Sequence, residues 1–522
     1  MNRTESTQQL TQTTHWDIII VGGGATGLGC AVDAASRGYK TLLLEKYDFA
    51  KGTSSRATKL VHGGVRYLEQ GNIRLVREAL MERGRLLKNA PHVCHTLAFV
   101  VPFYKWWQKV YYGVGLNIYE WLSGKLSLGK TILLNRKGAL KKLPDLASEK
   151  LSGAVLYFDG QFDDSRLAIN LAQTAAEQGA TVINYFGVTD FIKDGGKIKG
   201  VIAKDEITGN NFHIQGKIVI NATGVFSDEL LQLAEGYQQK TIAPSQGIHL
   251  VVDKNFFKGN AGLMVPKTDD GRVLFAIPWH DKLLLGTTDT LVENITTEPR
   301  ALQQEIDFVI EHFNRYASSS IGYSDVKSVF AGLRPLAKSS NENKTSVMPR
   351  DHQIAVLPSG LIHVTGGKWT TYRSMAEHAV DKAAQAAGLK STACKTKDLH
   401  LHGWVAKNDA SHLAVYGSDA ALIKKMMEED VSLKEKIHPQ YPYTKAEVKW
   451  MMQNEMTISV EDILARRIRL LFLDAKAAIA AAPVIAKMMA KEMNKEEAWV
   501  QQQITDFTIL AKGYLIGNNK LL

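Results

Sequence analysis

Gly22, Gly24 and Gly27 stand in the spacing G-x-G-x-x-G, and Glu45 follows 18 positions after the last of them. Glycines so placed can hold a pyrophosphate. The first permits a tight turn, the second lets backbone approach phosphate oxygens, and the third lets a helix pack closely on a strand. The helix that opens there points its free N–H groups and positive dipole end at the phosphates. A carboxylate at Glu45 can take adenosine ribose hydroxyls. A glycine motif alone also arises for steric reasons, so the elements that must position it decide. Residues 17–21 are an apolar, β-branched run suited to a strand buried on both faces of a parallel sheet. A helix is predicted from the turn to Arg37, with Gly38 to end it, and a second strand over residues 41–44 delivers Glu45. All agree on dinucleotide binding. The acid at position 45 argues against an NADP phosphate there and does not separate NAD from FAD.

Two further strand ends carry glycine. Near Lys217 the chain reads K-I-V-I-N-A-T-G, ending in Ala222, Thr223 and Gly224. Residues 361–373 read L-I-H-V-T-G-G-K-W-T-T-Y-R, with Gly366, Gly367, Lys368 and Thr370 at the turn. Small residues at a strand end let backbone come close to a bound dinucleotide, and Lys368 at a helix start concentrates positive charge. Residues 52–70 crowd Thr53, Ser54, Ser55, Lys59, His62, Gly63 and Gly64 into a stretch too polar for core and too short for a domain. In a flavoprotein such a stretch offers hydroxyl and backbone donors between pyrophosphate and isoalloxazine; the alternative is a solvated loop. Arg334 precedes a proline, which holds its backbone extended and its side chain in a fixed direction.

At 522 residues the chain exceeds what one core holds, so two or three domains are expected. Its apolar content of 45% and charged content of 22% are those of a globular protein. Cys30, Cys94 and Cys394 lie far apart without metal spacing, which fits reduced thiols in a cytosolic compartment. Residues 1–15 read as a polar tail without the apolar core of a secretory signal. No segment has the roughly 18 apolar residues of a membrane span. A net charge of +10 leaves nucleic acid, anionic lipid and an anionic substrate open.

Residues 73–89 repeat apolar positions at helical spacing, as in a surface helix. Residues 103–142 hold Phe103, Tyr104, Trp106, Trp107, Tyr111, Tyr112, Tyr119 and Trp121 among lysines and an arginine, with Glu120 the single acid. Two readings fit. The rings can sit at the headgroup level of a membrane with lysines reaching anionic lipid, or they can form an aromatic packing face with a solvated basic side. Between residues 248 and 290 the pattern turns antiparallel, with strands over 248–252, 272–279 and 282–287 and His280-Asp281 as a hairpin turn. After Lys397 the chain is helix-rich. Thr444 with Glu447 and Ser459 with Asp462 fit capping boxes. Leu464, Ile468, Leu471 and Phe472 form a stripe, with Arg466, Arg467 and Arg469 mostly off it on a solvated or salt-bridged face.

Assembled, these pieces resemble the FAD-dependent, quinone-linked glycerol-3-phosphate dehydrogenases, from about residue 17 to about residue 487. The runs G-T-S-S-R-A-T-K-L-V-H-G-G-V-R-Y-L-E, L-L-L-G-T-T-D-T, A-G-L-R-P-L, V-T-G-G-K-W-T-T-Y-R-S-M-A-E and D-I-L-A-R-R-I-R-L-L-F-L-D-A carry the resemblance. K-W-T-T-Y-R-S-M-A-E and V-L-Y-F-D-G-Q-F-D-D-S-R are closer to the mitochondrial branch, whereas the lack of a transit peptide points to a bacterial protein. The fold implied is α/β: a Rossmann-like FAD-binding domain of the glutathione-reductase/D-amino-acid-oxidase type, an antiparallel-sheet substrate domain and a C-terminal all-helical domain. The expected layout is a tail over 1–15, the FAD domain over 16–102, 150–240 and 350–396, a membrane-associating segment over 103–149, a cap over 241–349 and the helical domain over 397–522.

The resemblance implies oxidation of sn-glycerol 3-phosphate to dihydroxyacetone phosphate, with electrons passing through FAD to a membrane quinone. It also implies a cytoplasmic protein seated peripherally on the inner face of the cell membrane, touching anionic lipid at residues 103–142. A hydride leaves C2 while a base takes the hydroxyl proton, work that suits histidine near neutral pH. His249 and His62 are the candidates, and the sequence does not choose between them. Arg334 matches a family arginine for the phosphate dianion and Arg350 joins it. Lys368 would lie near flavin and substrate, offsetting the negative charge that arrives with the hydride. Thr287 and Asp289 would order the site. No metal and no nucleic acid are expected, and a homodimer is left open. The rivals are an oxygen-reducing glycerol-3-phosphate oxidase, a related flavin amine oxidase, which the Arg334 and Arg350 pairing disfavours, and a flavin-dependent tRNA-binding protein suggested by a pI near 9.1.

Overall fold

The computed structural model describes residues 1–69, 71–237, 240–269, 271–338, 352–407 and 411–517. Its centre is the apolar run beside the first glycine motif. Trp16–Val21 is a strand paired in parallel on both edges, with Thr41–Leu44 and with Asn211–Asn221. Alternate side chains feed two cores, as the strand period demands. Ile18 and Ile20 pack with the helices Ala25–Ser36, Asp164–Glu177 and Tyr372–Ala386, while Ile19 and Val21 pack with the antiparallel arm of Phe186–Asp194 and Lys197–Asp205. Thr181–Ile183 extends this sheet beyond Thr41–Leu44, and Ile362–Thr365 extends it beyond Asn211–Asn221, both in parallel. The glycine- and acid-bearing strand ends therefore lie side by side.

The second sheet is mostly antiparallel. Leu274–Trp279 and Lys282–Gly286 form the predicted hairpin, with His280 and Asp281 both at positive φ (44° and 60°), the backbone that a two-residue turn between twisted strands requires. Ile242–Asp253 lies between that hairpin and Val326–Ala337 and pairs with the latter along almost its full length. Three strands here come from segments that the sequence layout put in the nucleotide domain: Leu60–Val61, Cys94–Phe103 and Gly153–Phe162. Cys94–Phe103 and Gly153–Phe162 are antiparallel partners. The aromatic, basic stretch between them is thus the long excursion of a hairpin.

One other expectation needs correction, and a second is narrowed to one of its two alternatives. The N-terminal stretch contains a helix, Arg3–Gln12, whose first N–H groups are accepted by Asn2; Arg3 pairs with Asp205 and Leu10 is buried. Of the two settings expected for Arg466, Arg467 and Arg469, solvated or salt-bridged, the salt-bridged one is found, and it is buried. The chain there leaves the 3.6-residue period that the stripe assumed. Ile468 N–H bonds to Ile463 O five residues back, and Arg469 takes a left-handed φ of 69°. Arg466 and Arg467 both reach Asp48, and Arg469 reaches Asp164 and the Ser55 carbonyl.

Candidate active site

A cavity of about 610 Å³ opens at the carboxyl edge of the parallel sheet, where α/β folds bind their ligands. Gly22, Glu45, the Ala222-Thr223-Gly224 turn and the Gly366-Gly367-Lys368 turn all line it, together with Thr53, Ser54, Gly64 and Thr370. Hydrogen bonds lace these distant segments together. Ser54 Oγ accepts from Ala25 N–H (2.9 Å), Trp369 Nε1 donates to the Ser54 carbonyl (2.9 Å), and His62 N–H donates to Thr370 Oγ1 (3.2 Å).

The glycine turn is shaped as the spacing predicts. Gly22 has φ 111°, and a Cβ there would lie 2.7 Å from the Ala222 carbonyl oxygen. A Cβ on Gly27 would lie 1.8 Å from the Gly22 oxygen, so Gly27 packs the helix onto the turn instead of facing the cavity. Gly24 does face it, leaving the start of Ala25–Ser36 open to a pyrophosphate. The Glu45 carboxylate accepts from Gly23 N–H (2.5 Å) and Tyr47 N–H (2.9 Å). Burial raises its pKa, and those two N–H groups oppose the rise. A carboxylate has about four acceptor sites, so capacity for ribose hydroxyls remains. The donor set and the bare glycine cradle fit a dinucleotide.

The opposite wall belongs to the second sheet. Arg334 donates through Nη2 to Thr287 Oγ1 (3.1 Å) and through Nη1 to the Gln246 carbonyl (3.4 Å), with Asp289 Oδ1 at 3.6 Å. Thr287 and Asp289 thus hold the arginine. The two histidines differ. His249 is 2% exposed, stacks on Phe330 and bonds Thr58 Oγ1 through Nε2 at 3.0 Å. Burial first, then the positive charges of Lys59 and Arg334, hold its pKa well below the usual histidine value, so it is neutral. His62 is only partly buried on the same cavity. Lys368 Nζ sits 3.8 Å over the Tyr67 ring. Arg350 lies outside the described residues.

Ser55, Lys59 and Gly63 do not line the cavity. Lys59 takes φ 63° and turns its ammonium onto Asp164 (2.7 Å) and the Ser55 carbonyl (2.9 Å), beneath the rings of Trp279, Phe330 and Phe472. Burial lowers its pKa to about 7 against the pull of Asp164. Ser55 is buried, and its carbonyl serves Lys59 and Arg469. Gly63 is pressed against Leu80 and donates its N–H to Tyr119 Oη (2.6 Å). Sequence reasoning passed over Lys51, Arg56, Thr58 and Tyr67, which do line the cavity. A signal existed for Tyr67, an aromatic three residues past a Gly-Gly pair in a polar run; the others needed the fold.

Residues 17–381 match the family described as FAD dependent oxidoreductase, and residues 362–500 match the C-terminal domain of alpha-glycerophosphate oxidase. The chain is 38% identical over 548 residues to the mitochondrial glycerol-3-phosphate dehydrogenase of Rattus norvegicus, covering 97% of this chain and 75% of that one. The structure of the glycerol-3-phosphate dehydrogenase from Bacillus halodurans complexed with FAD matches with a TM-score of 0.81 at 30% identity, over 98% of this chain and 97% of that one. L-alpha-glycerophosphate oxidase from Mycoplasma pneumoniae, with FAD bound, shares the fold at a TM-score of 0.57 and 18% identity, over 73% of this chain and 97% of that one.

Proposed function

Because the chain belongs to the FAD-dependent glycerol-3-phosphate dehydrogenases, we propose that it oxidises sn-glycerol 3-phosphate at C2 to dihydroxyacetone phosphate and hands the electrons to a membrane quinone. The observation that carries the substrate assignment is Arg334, a guanidinium braced by Thr287 and Asp289 on the wall facing the glycine turns. Its planar fork suits a phosphate dianion, with Arg350 as the second cation. When bound, FAD accepts the hydride from C2. Gly22, Gly24 and the start of Ala25–Ser36 hold its pyrophosphate in this reading and Glu45 its ribose. Thr53, Ser54, Gly64, Thr223, Gly366 and Thr370 shape the remaining wall. Among the two histidines we assign the base to His62, because it is only partly buried, whereas His249, which lines the same cavity, is 2% exposed. His249 stays neutral beside Thr58, and Lys368 supplies positive charge near the reacting atoms.

The quinone and membrane assignments rest on the excursion between Cys94–Phe103 and Gly153–Phe162. Its helix, Trp106–Ser123, buries Leu116 and Tyr119 yet leaves Trp106 80% and Trp121 78% exposed, with Trp107, Val110, Tyr111, Val114 and Ile118 between them. Ile132 and Leu133 of the neighbouring strand are exposed as well. A contiguous apolar patch of this kind marks an interaction surface. Trp and Tyr rings with Lys105, Lys109, Lys125 and Lys130 close by in sequence suit an anionic bilayer interface. Among the described residues no helix is long and apolar enough to cross a membrane, so the helix would lie on the surface.

The visible spectrum of the purified holoenzyme tests the proposal. Anaerobic glycerol 3-phosphate should bleach the flavin band, and a soluble quinone should restore it faster than air. A yellow protein left unbleached would refute the substrate; faster reoxidation by oxygen would favour the oxidase.

A further inference from the structure

Thr58 and His249 line the cavity together and touch each other there. His249 Nδ1 is buried without a hydrogen-bond partner, while Nε2 meets Thr58 Oγ1 at 3.0 Å. A neutral imidazole carries one N–H. A buried N–H with no acceptor is rarer than an under-used acceptor, so the proton belongs on Nε2 and is donated to Thr58 Oγ. The hydroxyl proton of Thr58 must then point elsewhere. Among the described residues its side chain makes no other hydrogen bond, and Thr58 lines the cavity.

The neighbouring strand fixes what it can meet. Gly247 and His249 share one face of Ile242–Asp253, and the Arg334 guanidinium lies over Gly247 on that face. Two residues of strand separate the positions by about 7 Å. A phosphate held on Arg334 therefore leaves the substrate's C2 oxygen near Thr58.

We propose that Thr58 is a substrate-contacting residue, whose hydroxyl, aimed by His249, donates a hydrogen bond to the oxygen on C2. This rests on the reading of the site given above. Thr58 transfers no proton: the substrate hydroxyl proton goes to His62, and the Thr58 bond strengthens as negative charge develops on that oxygen.

Equilibrium binding to the oxidised holoenzyme, followed through its flavin absorbance, tests this with two ligands. Dihydroxyacetone phosphate carries an oxygen on C2; 3-hydroxypropyl phosphate does not. Thr58→Val keeps the volume and removes the hydroxyl. It should weaken the first ligand about tenfold, the worth of one hydrogen bond, and leave the second unaffected. Thr58→Ser should bring the first back to within about threefold. An equal change for both ligands, or none for either, overturns the role of Thr58. If the wild-type holoenzyme binds neither ligand, the underlying site assignment has failed and Thr58 falls with it. Should Thr58→Val not retain FAD, Thr58→Ala with the same two ligands decides by the same criterion.

Discussion

The guanidinium of Arg334 lies against the bare backbone of Gly247: a Cβ at that position would sit 2.3 Å from Nη2, 2.7 Å from Nη1 and 2.6 Å from Thr287 Oγ1. Such contacts cannot be relieved while the arginine keeps its bond to Thr287. Gly247→Ala should therefore displace the guanidinium and raise KM for glycerol 3-phosphate, with FAD content unchanged because the cofactor strand ends lie on the other sheet. Steady-state kinetics beside the flavin absorbance ratio checks both halves. A KM equal to wild type would mean that the arginine has another route to the phosphate.

Arg334→Ala removes the cation itself. A hydrogen bond to a charged group contributes about 1.5–3 kcal/mol, so KM for glycerol 3-phosphate should rise by roughly one to two orders of magnitude. Turnover of phosphate-free glycerol, which has no dianion to lose, should change little. Equal losses on both substrates would contradict a phosphate role. Arg334→Lys should recover only part of the loss, since an ammonium lacks the planar fork.

The glycine-turn half of this site was legible because its signals are local. Strand, glycine turn and helix occupy consecutive residues at Gly22, Gly24 and Gly27, and a positive φ or a close approach leaves glycine in the sequence. The hairpin at His280-Asp281 was legible for the same reason. The roles of Lys59 and the C-terminal arginines were not, because each depends on a partner far along the chain. Lys59 needs Asp164, and Arg466 and Arg467 need Asp48 more than 400 residues away. Charge in a sequence reads as solvent-facing until the opposite charge is located. Thr58 was hidden likewise: only the pairing of Ile242–Asp253 with its neighbours brings His249 against it.

Asp48 ties the segment after Glu45 to the C-terminal helices. Burial alone would raise its pKa, but Arg467 and Arg466 outweigh it and hold Asp48 at about 2. A carboxylate depressed in the fold contributes stability above its unfolded pKa of about 4, and that contribution is lost as pH falls from about 4 to about 2. Asp48→Asn should cost about 3–5 kcal/mol at neutral pH by leaving buried guanidinium groups uncompensated. Thermal melts from pH 7 to pH 3 should show the variant already low at neutrality and flatter toward acid. A variant as stable as wild type would mean that Asp462, which pairs with Arg466, and Glu455, which pairs with Arg467, suffice for the arginines.

His402 gives the opposite pH dependence. Burial opposes its charge, but Asp419 and Glu177 prevail and raise its pKa to about 9. A group raised in the fold contributes fully below its unfolded pKa near 6.5, and that contribution disappears as pH rises through 9. Wild-type Tm should therefore decline between pH 6.5 and 9, and His402→Gln should flatten that decline while starting lower. Parallel profiles for the two proteins would show that other groups govern alkaline stability.

Trp106 and Trp121 offer a way to separate lipid contact from chemistry. Both are more than three-quarters exposed, whereas Tyr119 on the same helix is buried, bonding Asp159 (2.7 Å) and accepting the Gly63 N–H beside His62. Replacing the two tryptophans with serine removes large interfacial rings without touching that inner contact. Flotation with vesicles of mixed neutral and anionic lipid should fall sharply, since each ring is a principal apolar anchor at an interface. Turnover with a soluble dye acceptor should stay within about twofold, because no transition-state contact is removed, while turnover with a membrane-embedded quinone should drop with the flotation. Loss of dye turnover as well would instead place these rings in the support of the site. Undiminished flotation would move the membrane contact to another surface.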